Sequence, residues 1–173
     1  VEGHLRGANW DGYTHNAKFN GRTVRNGIDV SYYQGSIDWN AVKNSGIDFV
    51  FVRVGYRGYS NGALKEDPTA AANINGALTA GLKVGVYMFS QAVNADEAAE
   101  EARFALSKIS GYNITMPVVM DFEFISGGRG RLYQAGLSKD AATTVVNGFA
   151  YTVSCSGYTP MIYANKTMLE NYM

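Results

Sequence analysis

Met116-Pro117-Val118-Val119-Met120-Asp121-Phe122-Glu123-Phe124 is the stretch whose reading decides the fold. Six of its nine residues are apolar, a proline stands where a strand can begin, and two carboxylates stand near its far end. Side chains alternate along a strand, so Asp121 and Glu123 share a face with Val119, while Val118, Met120, Phe122 and Phe124 share the other. Both faces are apolar until the acids begin. A strand of this kind belongs in a parallel sheet or barrel, where functional groups gather at the carboxyl ends of the strands.

The flanking sequence repeats a strand-then-helix rhythm in both directions. Upstream, a short strand over Gly27 to Ser31 leads through a loop to a helix that ends near Asn44 or Ser45, stopped by Gly46. Asp48 to Val54 is a second strand, and Gly55 to Glu66 reads as a polar loop. Asp67-Pro68 reads as the capped start of a helix that closes at Gly81. Lys83 to Ser90 is a third strand, and Asn94 with Glu97 opens a helix that runs to about Ser110. Downstream, the loop Ser126 to Gly136 carries Gly127-Gly128-Arg129-Gly130-Arg131. Several residues separate it from the next helix, which makes it a poor phosphate cradle and, by default, a mobile surface loop. A helix over about Ser138 to Ser156, a fifth strand over Pro160 to Ala164 and a short last helix complete the series.

Five strands alternating with five helices call for parallel β/α architecture. No G-x-G-x-x-G follows the first strand, so a barrel is favoured over a doubly wound sheet. Full eightfold barrels take about 250 residues, and the 173 residues here hold five β/α units. Residues 1–26 are polar, rich in Gly and Asn, and without sustained period. They read as an amino-terminal arm or linker whose aromatic residues Trp10, Tyr13 and Phe19 dock against the domain. The spacing of His4 and His15 suits no zinc motif.

Fifteen basic and fifteen acidic residues cancel, which removes the net field that nucleic acid or an anionic membrane would require. No apolar run approaches the ~20 residues of a membrane span, and Val1 to Gly12 lacks the apolar core of a signal peptide. The single cysteine, Cys155, reads as a small buried hydrophobe.

The alternation rule nominates one set of side chains for the carboxyl-terminal mouth: Asp29, Arg53, Tyr87, Phe89, Asp121, Glu123 and Tyr163. Carboxylates among aromatic rings suit a sugar, since rings pack on its apolar faces and carboxyl groups can protonate a leaving oxygen or stabilise positive charge. Plainer roles stand beside these. Asp29 can bond a neighbouring loop, Arg53 can serve as charge partner to Asp121 or Glu123, and the aromatic residues can be core. With no histidine nearby, a magnesium or calcium site is the less specific use of the acids, and no metal or cofactor is expected.

The motifs together resemble glycoside hydrolase family 25. They are Gly27 to Gly35, Ile37-Asp38-Trp39, Phe51 to Gly55, Asp67-Pro68 with Asn73, Ala80 to Ser90, Pro117 to Glu123, and Gly157-Tyr158 with Pro160 to Ala164. The resemblance covers residues 27–173 and implies a catalytic domain folded as an irregular TIM-like (β/α)5(β)3 barrel, of which the five β/α units are present. It also implies an extracellular or cell-wall muramidase that cuts the β-1,4 bond between N-acetylmuramic acid and N-acetylglucosamine in peptidoglycan. Glu123 then matches the family's general acid, Asp121 the carboxylate that orients or stabilises the substrate's N-acetyl group, and Asp29 a further carboxylate of the floor. On this reading Glu123 holds the proton in the free enzyme and Asp121 stays ionised. The family's closing strands have no counterpart here, so the chain is expected to be a truncated or partly represented catalytic domain. A wall-binding module without catalysis and a chitinase-like glycosidase are the rival expectations.

Overall fold

The computed structural model describes residues 17–125 and 127–173. The expectations for His4, Trp10, Tyr13 and His15 lie outside the described residues. From the expected arm, a single 3-10 turn covers Ala17–Phe19, and Phe19 is exposed rather than docked. Arg25 and Asn26 are held by the Asp48 carboxylate, which pairs with the Arg25 guanidinium at 3.4 Å and accepts the Asn26 N–H at 3.3 Å.

The strands are β1 (Gly27–Val30), β2 (Phe49–Arg57), β3 (Leu64–Glu66), β4 (Lys83–Ser90), β5 (Val118–Phe122) and β6 (Pro160–Tyr163). The helices are α1 (Trp39–Asn44), α2 (Ala70–Thr79), α3 (Ala95–Ile109), α4 (Arg131–Gln134), α5 (Lys139–Cys155) and α6 (Lys166–Asn171). Five strands lie parallel in chain order, β1-β2-β4-β5-β6, and β3 adds antiparallel to β2. This is the strand order of a β/α barrel. The sheet is open, with β1 and β6 as its edges: the five expected β/α strands form a mostly parallel sheet, and the TIM-like barrel itself is not formed. Barrel closure needs strand number, tilt and stagger to agree, and five strands do not bring β6 back to β1.

One face of the sheet carries Val50, Val52, Val54, Val84, Val86, Met88, Val118, Met120 and Phe122, all fully buried in the core shared with the helices. The other face carries the acids and most of the rings. Its glycines allow close approach: a Cβ on Gly85 would lie 2.4 Å from the Phe51 ring, and one on Gly27 would lie 2.1 Å from the Phe49 ring. Both phenylalanines therefore lie flat across their neighbours, meeting edge to face with centroids 5.9 Å apart.

Helix starts follow their capping residues. The Asp38, Asn94 and Ser138 side chains accept the N–H of Ala41, Glu97 and Ala141. Three expectations are corrected. The loop expected from Gly55 to Glu66 holds the end of β2 and all of β3, a hairpin too short to carry an alternating signal. Asp67 does not cap α2, whose N-cap is Thr69. Cys155 is exposed, because it falls on the outer face of the last turn of α5. The glycine- and arginine-containing loop is anchored at Arg131, which opens α4, donates its N–H to the Tyr59 carbonyl at 2.9 Å, and forks onto Glu97 through two 2.7 Å bonds.

Candidate active site

Strand register sets the site. Asp121 pairs with Phe89 of β4 on one side and Tyr163 of β6 on the other, while Val119 sits between Tyr87 and Met161. Asp29 of β1 pairs with Phe51 of β2. A cleft of about 350 Å³ runs over this face, with Asp29, Asp121 and Glu123 as its carboxylates. Phe49, Phe51, Tyr87 and Tyr163 supply its rings, and Val119 and Met161 its aliphatic surface. The structure thus brings together five of the seven nominated residues: Asp29, Tyr87, Asp121, Glu123 and Tyr163.

Arg53 and Phe89 do not line the cleft. Arg53 is buried, its Nε 2.9 Å from Asp67 Oδ2, and its guanidinium lies 5.1 to 5.5 Å from the ring centroids of Tyr32, Tyr33 and Tyr56. Its ion partner is Asp67 rather than Asp121 or Glu123. Asp67 is a buried hub: its carboxylate also accepts the backbone N–H groups of Tyr32 and Thr69 and the Thr69 hydroxyl. Burial opposes its charge, and these bonds outweigh burial and hold its carboxyl below the usual range.

Asp121 is the perturbed acid. Burial, then the charges of Glu123 and Asp29, push its carboxyl up to about 7, with Arg53 pulling the other way. Its Oδ1 is buried without a hydrogen-bond partner. The sequence reading gave the held proton to Glu123 and the permanent charge to Asp121; burial places the raised carboxyl at Asp121. The phenol of Tyr87 is raised, chiefly by burial, and that of Tyr163 chiefly by the Glu123 charge.

Glu123 is the first residue beyond β5, so its backbone has left the ladder. Two amides hold it. Gln91, fully buried just after β4, donates from Nε2 to the Glu123 carbonyl at 3.2 Å and to the Ser90 carbonyl at 2.9 Å. Asn165, just after β6, donates from Nδ2 to Glu123 Oε2 at 3.3 Å. Behind Gln91, its N–H reaches Glu101 Oε1 at 3.3 Å, and Arg57 Nε reaches the same oxygen at 2.8 Å. Burial pushes the Glu101 carboxyl up to about 7, against the pull of Ser90 and Arg57. Sequence reading missed Asp67, Gln91, Glu101 and Asn165. The available signals were a pattern of Glu97, Glu100 and Glu101 at helical spacing facing an arginine, and an N-cap residue directly after a strand end.

Among the described residues, no group of three or more His, Cys, Asp or Glu is arranged to hold a metal ion, and no helix is long and apolar enough to cross a membrane. A site of this form, with clustered carboxylates, aromatic walls and one half-buried acid whose Oδ1 lacks a partner, can bind a sugar and move a proton to or from it.

Known proteins share sequence and fold with this chain. The chain is 34% identical over 126 residues to Lysozyme M1 of Streptomyces globisporus, an alignment covering 71% of this chain and 40% of that protein. The chain therefore spans well under half the length of this curated relative. Among solved structures, it is similar to the modular autolysin LytC of Streptococcus pneumoniae, with a TM-score of 0.70 and 26% identity over 85% of this chain and 34% of that one. LytC has also been solved in complex with a synthetic peptidoglycan ligand. A family 25 glycosyl hydrolase of Bacillus anthracis shares the fold, with a TM-score of 0.72 and 21% identity over 88% of this chain and 66% of that one. The profile of glycosyl hydrolases family 25 matches residues 28–173, that is, β1 to the last residue, and the chain belongs to that family.

Proposed function

We propose that residues 27–173 are the catalytic domain of a lysozyme-type muramidase acting outside the cell or in the wall on peptidoglycan, at the β-1,4 bond between N-acetylmuramic acid and N-acetylglucosamine. The observation that carries this reading is the pairing of Glu123 with Asp121 at the end of β5 in an aromatic-walled cleft, in a chain of family 25. Glu123 is the general acid, protonating the glycosidic oxygen as its bond to the anomeric carbon breaks. Asp121 is the stabilising carboxylate. A buried carboxylate with too few partners gains more from positive charge developing on the sugar than from a neutral ground state, and such differential stabilisation accelerates a reaction. The same carboxylate can instead accept the N–H of an acetamido group that attacks the anomeric carbon. Asp29 adds negative potential, and Tyr87 and Tyr163 offer ring surface to the sugar.

The test is release of new reducing ends from purified peptidoglycan by the whole protein, with the terminal sugar identified. N-acetylmuramic acid at the new end is the expected result. Glu123→Gln keeps the shape and removes the proton, and is expected to lower the rate about 10²- to 10⁴-fold; undiminished clearing by that variant would sink the assignment. Release of N-acetylglucosamine ends from chitin would move the reading to a chitinase-like glycosidase. The open sheet favours one further reading, a module that binds the wall without cutting it, and binding with no reducing ends would establish that instead.

A further inference from the structure

We propose that Asn165 is a positioning residue for Glu123, fixing which carboxyl oxygen carries the proton; this rests on the muramidase reading for its role in turnover. Asn165 is the N-cap of α6, and its Oδ1 accepts the Met168 N–H at 3.0 Å. Only the amide oxygen can accept that bond, so the cap decides the orientation of the whole group and turns Nδ2 toward Glu123. Nδ2 can only donate, and it lies 3.3 Å from Oε2. A hydroxyl Oε2 would be a weaker acceptor of that N–H than a carbonyl Oε2, so the bond favours the tautomer with the hydroxyl elsewhere. The proton therefore resides on Oε1, and Oε2 remains an acceptor in both states of the acid.

This arrangement is built from separate elements. Gln91 of the β4 end holds the main-chain carbonyl of Glu123, and Asn165 of the β6 end holds its carboxyl, so neighbouring strands on either side of β5 clamp one residue. In turnover the Oε1–H bond breaks, and the proton passes to the glycosidic oxygen. That oxygen leaves with the electron pair of its bond to the anomeric carbon, and Asn165 Nδ2–H faces the new carboxylate charge. Water later supplies the hydroxyl at the anomeric carbon and returns a proton to Glu123.

Two measurements test the assignment. In protein labelled with ¹⁵N at asparagine, the Asn165 side-chain amide protons, identified by their loss in Asn165→Ser, are expected to shift with pH, and most of that response is expected to vanish in Glu123→Gln. An amide that ignores pH, or responds equally in Glu123→Gln, overturns the proposal whether or not the protein is active. In steady-state kinetics on soluble peptidoglycan fragments, Asn165→Ser retains a capping side chain and is expected to keep its melting temperature. It is expected to lose kcat roughly 10- to 100-fold with little change in KM, the pattern of a misplaced reacting group. Wild-type kcat in a folded Asn165→Ser protein also overturns it. If wild-type protein releases no reducing ends, the muramidase reading fails and the amide titration still decides the Asn165 contact.

Discussion

At the scale of the residue, Asp121 is where burial and chemistry conflict. The alternation of Met116 to Phe124 places it on the cleft face, but its environment comes from the rest of the fold: burial first, then the charges of Glu123 and Asp29, raise it, and that of Arg53 lowers it. The consequence is a pH dependence. In the proposed mechanism Asp121 acts ionised, so kcat/KM for peptidoglycan fragments is expected to fall as pH drops below about 7, the value to which its carboxyl is raised in the free protein. Asp121→Asn is expected to abolish that acid limb and to lower kcat/KM by about 100-fold or more. An acid limb unchanged in the variant would assign it to another group. The nomination of Arg53 shows the limit of alternation. It names a face, and the partner on that face was chosen by Asp67, fourteen residues along the chain and brought back by the β2–β3 hairpin.

At the scale of the element, the joint between β2, β4 and α3 holds a buried ionic network. Glu97, Glu100 and Glu101 lie at helical spacing on one face of α3. Arg57, at the end of β2, meets Glu101 and Glu100 at 2.8 and 2.6 Å and also donates to the Gly62 and Glu97 carbonyls. In the fold Glu101 is fully buried, because α3 lies across the strand ends that carry Arg57 and Gln91. Removing one partner from such a pair leaves an uncompensated charge. Arg57→Ala is expected to destabilise the protein by about 3–5 kcal/mol in urea unfolding, and the double variant Arg57→Met with Glu101→Leu to recover most of that loss. Equal destabilisation in the single and double variants would show that packing, not charge pairing, dominates this joint.

At the scale of the whole molecule, the buried acids set how stability varies with pH. Asp121 and Glu101 rise from ordinary values of 3.8 and 4.5 to about 7 on folding, so between those limits the folded state holds protons that the unfolded state has released. Stability from these two groups is full below pH 4 and is lost as pH rises to about 7. Asp67 and Glu97 are lowered instead, Asp67 by bonds that outweigh its burial and Glu97 chiefly by Arg131, so their contribution is present above pH 4 to 5 and is lost in stronger acid. A melting temperature that peaks near pH 4 to 5 and declines toward pH 8 is expected, with a shallower decline in Asp121→Asn. A flat profile in wild-type protein would contradict the burial of both acids. The elements themselves were legible in the sequence, because period, caps and terminal glycines are local: five parallel strands in chain order, their helices, and the cleft face of β5. The motifs that resemble family 25 were equally local. That five units fall short of a closed barrel was legible as a count, but how those strands tilt and stagger over the whole sheet was not. Nor could the sequence decide which charges pair or which carboxyl is raised. Those depend on burial and on residues far apart in the chain, and only the tertiary structure places Asp67 against Arg53, Gln91 and Asn165 around Glu123, and one oxygen of the half-buried Asp121 out of reach of a partner.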